Sequence, residues 1–407
     1  MKSRNMFLAA GPYFQSRFES SKYILANFQA TELFVSTVIN LVVMLVLVNL
    51  QKNASYPRRI GIALLINIAA FTLLAVSSKA YLEVTATGYF TFLMIVVGFA
   101  ALATGLLQNG AFAYAAGYGH AEYIQAIMAG QGIAGVLPPI AQIISVMAAR
   151  GDDDTNKSST SALMYFLAAA GLSVFAFIVF SLLLQYHPTT KAKLQGQNVQ
   201  SSSDTDSEDM DSQSRDAGVS QSVALTRLSR KLFYPALSIF LTFAVTILFP
   251  VFTQAILTNQ PYPPPILQKA SFIPLAFLVW NLGDLLGRLL PLSPSLSLVK
   301  RPRILLLLSI SRGIFIPLYL LCNIQSPDTS TSLPITQAVI KSDVFYFLVV
   351  QFPFGLSNGY LGSCCMMAAP DAVDQDEREA AGGFMGLMLV LGLAFGSFCS
   401  FFVGNLV

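Results

Sequence analysis

Charge is what this chain has least of. Of its 407 residues only 11% are Asp, Glu, Lys or Arg, against 54% hydrophobic, whereas a soluble domain carries about 25% charged residues. A soluble fold would have nowhere to put so much apolar surface, and a bilayer is the solvent that fits it. Histidine is nearly absent. His120 and His187 stand alone, so no His-based zinc site is spelled out. The four cysteines, Cys322, Cys364, Cys365 and Cys399, all lie in apolar stretches, and the one close pair is adjacent in sequence. They read as buried thiols rather than a disulfide framework or a metal site. No Walker loop or HExxH pair occurs and nothing reads as a nucleophile elbow, so an enzyme has no positive support and no cofactor is implied. A net charge of +3, with no basic cluster interleaved with aromatics, excludes nucleic acid as a partner class.

What the chain has instead is a series of long apolar runs, and a mean hydropathy of +0.62. A membrane helix needs about 20 mostly apolar residues. On that rule spans fall near 33–50, 60–79, 88–115, 123–149, 161–185, 231–258, 269–291, 303–322, 343–368 and 380–405. Residues 5–18 form a shorter apolar piece that reads as the remainder of a truncated first span. Between 186 and 229 the composition turns polar, and Ser201 through Ser212 is an acidic, serine-rich stretch that cannot bury a core. The expected architecture is therefore an all-α polytopic membrane protein. It has an N-terminal bundle over 1–185, a disordered loop over 186–229 and a C-terminal bundle over 230–407. Two bundles joined by a long central loop is the layout of major-facilitator-like carriers, whose substrates lie at the midplane between them. By loop, thirteen Lys and Arg fall on the side of the central loop and seven on the other, which puts the loop in the cytoplasm.

One phrase breaks the apolar rule. In Trp280-Asn281-Leu282-Gly283-Asp284-Leu285-Leu286-Gly287-Arg288, an acid and a base stand four residues apart inside a span. Each charge costs about 2.5–3.5 kcal/mol at a helix centre on insertion scales, so such residues face a partner or a water-filled cavity. At i,i+4 they share one helix face and can pair. Either something polar binds here, or the two form a structural ion pair. Gly283 and Gly287 make a GxxxG, which suits close helix packing. Gln108 is a lone amide in another span, able to donate and accept. An interhelical hydrogen bond is the competing reading. Gln131, between Gly130 and Gly132, reads as a packing position.

The last sixty residues carry Gly355-Leu356-Ser357-Asn358-Gly359-Tyr360-Leu361, then Arg378-Glu379-Ala380-Ala381-Gly382, then Gly392 through Ser397. Their order and spacing resemble the equilibrative nucleoside transporter family. Asn5 through Phe18, Gln125 through Gly135 and the Asn281–Arg288 phrase are similar to the same family, so the likeness runs over essentially the whole chain. The family has eleven helices, and the first half of its helix 1 is missing here. Where it commonly has Trp-Asn, this chain reads Arg4-Asn5, so an aromatic beside the nucleobase is absent. The resemblance implies facilitative carriage of nucleosides, with nucleobases as a further class, by a multi-pass protein of the plasma membrane or a vacuolar-type endomembrane. It places Asp284 and Arg288 at the sugar, with Asn281 as a helper, and Gln108 at the base. It also aligns Leu8 and Pro250 with an outer constriction, and Arg59 and Glu379 with a charge pair that latches the inner side. Carriage of another small polar metabolite, or a non-transporting receptor or scaffold, are the competing functions.

Overall fold

The computed structural model describes residues 11–51, 54–80, 84–148, 154–186, 225–324 and 338–404. Leu8 and nearly all of the central loop lie outside them. In the N-terminal half the helices are α1 (Gly11–Phe18), α2 (Lys22–Asn49), α3 (Tyr56–Ser77), α4 (Ala86–Gly117), α5 (Ala121–Ala148) and α6 (Asp154–Tyr186). Local chemistry sets several of their starts. Thr85 Oγ1 accepts from the Gly88 amide at 3.3 Å to open α4, a side-chain N-cap. Pro57 sits in the first turn of α3, where its missing N–H costs nothing. Gly119, at φ 72°, makes the tight turn from α4 to α5, a conformation glycine adopts without a Cβ penalty.

The C-terminal half runs α7 (Leu225–Lys231), α8 (Phe233–Thr246), α9 (Phe249–Ala255), α10 (Lys269–Leu289), α11 (Pro302–Ser311), α12 (Phe315–Leu320), α13 (Phe352–Ala368) and α14 (Arg378–Gly404). Nine helical stretches among the described residues are long and apolar enough to cross a membrane. The span expected at 343–368 is also helical, but it is π-wound over Phe345–Gln351 before α13 begins. The first full span starts at Lys22, well before the expected residue 33.

Two C-terminal spans are broken rather than continuous. The expected 231–258 helix stops at Thr246 and resumes at Phe249, because Pro250 lacks the N–H that would bond the Thr246 carbonyl. The expected 303–322 helix passes through a tight 3₁₀ turn at Arg312–Ile314 between α11 and α12, with Pro317 acting on the carbonyl of Gly313 in the same way.

Three buried cores organise the packing. One lies wholly in the N-terminal half, from Tyr13 to Ala170, and one wholly in the C-terminal half, from Leu248 to Phe354. The third joins the halves: Met44, Phe112, Ile124 and Met128 from the first meet Phe243, Cys364, Ala381 and Met385 from the second. Most contributors to this shared core flank the connections 50–55, 118–120 and 369–377, which helix alternation puts at one end of the molecule, the end that carries the larger share of Lys and Arg. The two separate cores sit at the other end.

Glycines let α10 and α13 approach backbone to backbone. A Cβ on Gly283 or Gly287 would overlap the carbonyl oxygens of Phe352 and Leu356, and one on Gly355 or Gly359 those of Trp280 and Asp284. The GxxxG pattern on α10 is thus matched by one on α13.

Candidate functional site

Asp284 and Arg288 lie one turn apart on α10 and are 4% and 3% exposed. Arg288 Nε is 2.7 Å from Asp284 Oδ2, and Nη2 is 3.5 Å from Oδ1. Both residues reach beyond their own helix. Asp284 Oδ1 accepts from Asn358 Nδ2 on α13 at 2.6 Å. Arg288 Nη1 donates across the halves to the Met128 carbonyl at 3.0 Å and to Gln131 Oε1 at 3.3 Å on α5. Gln125 Nε2, also on α5, donates to the Arg288 carbonyl. Gln131 is therefore a polar partner of the pair as well as a packing position. The charged pair is a knot tying α5, α10 and α13 together.

A second arginine completes the cluster. Arg312, in the 3₁₀ turn, is 2% exposed, and its donors go to neutral acceptors. Nη1 is 2.5 Å from the Thr242 carbonyl and 3.1 Å from Thr246 Oγ1, Nη2 is 3.3 Å from the Phe354 carbonyl, and Nε is 3.1 Å from Ser357 Oγ. Its guanidinium carbon sits 4.6 Å from the centre of the Phe354 ring, a cation–π arrangement. Arg312 Nη1 also lies 3.5 Å from Asn358 Oδ1. Sequence reasoning missed both Arg312 and Asn358. Asn358 stood inside a quoted motif, and Arg312 is a lone cation in an apolar run, subject to the same rule that singled out Asp284.

The other expected positions are spread more widely. Asn281 is half-buried; its Nδ2 donates to the Phe277 carbonyl at 2.7 Å, and its Oδ1 would lie 2.5 Å from a Cβ on Gly135 of α5. It therefore faces the seam between the halves, one turn from Asp284. Gln108, half-buried on α4, has no hydrogen-bond partner among the described residues. Its neighbour Asn109 is the buried one, at 1% exposure. Pro250 opens α9 beside Phe249, which stacks on Trp280 with ring centres 4.2 Å apart. The letters G-x-S-x-G at Gly355–Gly359 fall in the middle of α13. There Ser357 donates to Phe354 one turn back at 3.0 Å, not at the strand-to-helix elbow that would expose a nucleophile.

At the basic end a set of polar contacts accompanies the shared core. Arg59 donates to Asn109 Oδ1 at 2.6 Å and to the Leu50 carbonyl at 2.6 Å, which fixes the end of α2 to α3 and α4. Glu379 packs its Cγ against Gly117 of α4, where an added Cβ would come within 2.9 Å. Tyr56 is in electrostatic reach of both Arg59 and Glu379. Arg378 places its guanidinium against Gly119 and donates to the Pro370 carbonyl at 3.3 Å. Within the C-terminal half, Lys231 Nζ lies 2.6 Å from Asp374 and 2.5 Å from Glu377, and Arg227 Nε lies 2.6 Å from Glu377. The hydrogen bond from Lys231 holds the Asp374 carboxyl below its ordinary value, and the same contact raises the Lys231 amine.

A bundle of apolar helices in two halves, with a charged knot buried where the halves meet, defines a membrane carrier. Solved structures agree on the fold. The proton:xylose symporter XylE, of the major facilitator superfamily, superposes with a TM-score of 0.60 over 98% of this chain and 88% of its own, at 11% identity. The superfamily transporter FucP, solved in an outward conformation, does so at 0.54 over 99% and 96%, at 12% identity. The family model described as nucleoside transporter matches residues 92–404. Nucleoside transporter FUN26 of Saccharomyces cerevisiae is 31% identical over 98% of this chain and 80% of its own. Equilibrative nucleoside transporter 2 of Homo sapiens is 30% identical over 98% and 92%. The chain belongs to the nucleoside transporter family and is an integral, multi-pass membrane protein with the major-facilitator fold.

Proposed function

We propose that this chain carries nucleosides across a membrane down their gradient, by alternating access, and catalyses no chemical reaction. Its two bundles, 1–185 and 230–407, act as the moving halves on either side of the 186–229 loop. The observation that carries the reading is the Asp284–Arg288 pair, buried on α10 and bonded across the halves to α5. A ribose presents vicinal hydroxyls. A carboxylate accepts from them and a guanidinium donates to the same oxygens, and such charge-assisted bonds are the stronger class. Asn281, one turn along toward Gly135, is the helper at this seam, and Gln108 on α4 is the amide offered to the base.

The shared core at the basic end supports the alternating-access part of the reading. Positive charge assigns that end to the cytoplasm. Joined there and carrying separate cores at the opposite end, the halves have the arrangement of a carrier closed to the cytoplasm. Arg59 and Glu379 would act in the inner latch, with Leu8 and Pro250 toward the outer constriction.

The test is uptake of labelled uridine and adenosine into liposomes holding the purified full chain, with xylose and fucose as competitors. Saturable uptake that unlabelled nucleosides block and the sugars do not supports the reading. Uptake blocked by the sugars points to a carrier of another metabolite, and nucleoside binding without flux to a receptor.

A further inference from the structure

The charges and lone pairs around Asp284 do not leave room for a free choice of partner. A carboxylate has about four lone-pair sites. One oxygen of Asp284 takes Arg288 Nε, and the other takes Asn358 Nδ2 at 2.6 Å together with the long contact from Arg288 Nη2. With Oδ1 filled by the Asn358 amide and the Arg288 contact, two hydroxyls could chelate both oxygens only by displacing one of those donors. The Asn358 amide is held from behind. Its Oδ1 lies 2.6 Å from Thr246 Oγ1 and faces Arg312 Nη1.

The orientation follows from chemistry. A carboxylate only accepts and a guanidinium only donates, so the side chain between them must donate on one side and accept on the other. Asn358, 1% exposed, does that with its NH₂ toward Asp284 and its oxygen toward Arg312. Two of the three parts that hold it sit at helix breaks, Thr246 at the end of α8 and Arg312 in the 3₁₀ turn. Breaks of this kind recur where transporters build their sites. Buried charges in the cluster are two arginines and one carboxylate, so Arg312 also keeps Asp284 balanced when Arg288 turns part of its donor set to a substrate.

Resting on the nucleoside reading above, we propose that Asn358 is a specificity-determining residue of the sugar site. By occupying Oδ1 of Asp284 it leaves the carboxylate to receive one sugar hydroxyl rather than a chelating pair, and Arg312 is the positioning residue that holds its amide. The proposal makes the 2′ and 3′ hydroxyls unequal.

The experiment measures uridine, 2′-deoxyuridine and 3′-deoxyuridine as competitors of labelled uridine binding to the detergent-purified full chain. In the parent, one deoxy analogue should bind about 10- to 150-fold more weakly than uridine, the loss of a bond to a charged group, and the other within about threefold. In Asn358→Ala the freed oxygen can take the second hydroxyl, so the two analogues should converge to within about threefold of each other. Arg312→Lys, which keeps the charge but loses the fork, should move the ratio in the same direction. A purely structural asparagine would shift all three ligands together and leave their ratio alone, which overturns the proposal, as do equal losses for both analogues in the parent. Should Asn358→Ala not accumulate, Thr246→Val removes the hydroxyl beside the Asn358 oxygen and must show the same convergence; an unchanged ratio there overturns the proposal too. A parent that binds none of the three overturns the nucleoside reading itself.

Discussion

Asn358 Nδ2 and Asp284 Oδ1 stand 2.6 Å apart across the seam of α10 and α13. That distance depends on two helices whose backbones touch. With a side chain at Gly283, Gly287, Gly355 or Gly359 the seam would open, and the amide would lose its hold on the carboxylate. The site is as much a product of four glycines as of its charged residues.

The glycine seam gives the first prediction. Gly287→Ala places a methyl group against the Leu356 carbonyl and the Tyr360 amide, backbone atoms that cannot swing aside. Its cost should reach or exceed the ~1–3 kcal/mol typical of overpacking. Gly130→Ala and Gly171→Ala meet nothing within 4 Å and should leave the thermal midpoint of the purified protein essentially where it was. Equal midpoints for Gly287→Ala and Gly130→Ala would contradict the seam.

A second prediction concerns the basic end. Arg59→Glu reverses a charge that now binds Asn109 and the Leu50 carbonyl. It should loosen the contact of α4 with α14 and expose an Ala116→Cys reporter, which lies against Gly382, to a thiol reagent from the cytoplasmic side. Adding Glu379→Arg should recover part of the protection. Effects that simply add would show that the two charges are not coupled.

The Lys231–Asp374 contact predicts a pH dependence. Asp374 is held below its ordinary 3.8. With the folded value depressed, its stabilisation is fully present above the ordinary value and is lost as the pH falls through the folded one. Lys231 is raised above 10.5, so its share persists below that value and is lost only in stronger base. Asp374→Asn should therefore lower the thermal midpoint equally at about pH 7.5 and about pH 5, and the difference should vanish only in stronger acid. A difference that fades between those two values would contradict the assignment.

Much of this was legible in the sequence, for physical reasons that differ by residue. Spans were readable because a bilayer demands about 20 apolar residues in a row, and Asp284 with Arg288 because charge inside such a run is costly. Gly283 and Gly287 announced close packing, but their partners Gly355 and Gly359 show only when the helices are placed together. Asn358 was hidden for the same reason, whereas Arg312, a lone charge in an apolar run, fell under the rule that found Asp284. Nothing in the chain says that residues 74 and 28 positions away from Asp284 share its neighbourhood. The breaks after Thr246 and at Arg312 could have been suspected from Pro250 and Pro317, which a hydropathy count does not weigh.

The claim on which the rest depends is that Asp284 recognises the sugar. Its most direct measurement is competition of uridine and 2′,3′-dideoxyuridine for labelled uridine uptake, in the parent and in Asp284→Ala, with protein abundance matched. Loss of a hydrogen bond to a charged group is worth ~1.5–3 kcal/mol, so uridine should weaken about 10- to 150-fold. The dideoxy analogue, which keeps its 5′ hydroxyl but has no 2′ or 3′ hydroxyl to lose, should be nearly indifferent. Equal losses for both ligands would contradict the account and leave Asp284 and Arg288 as a structural ion pair.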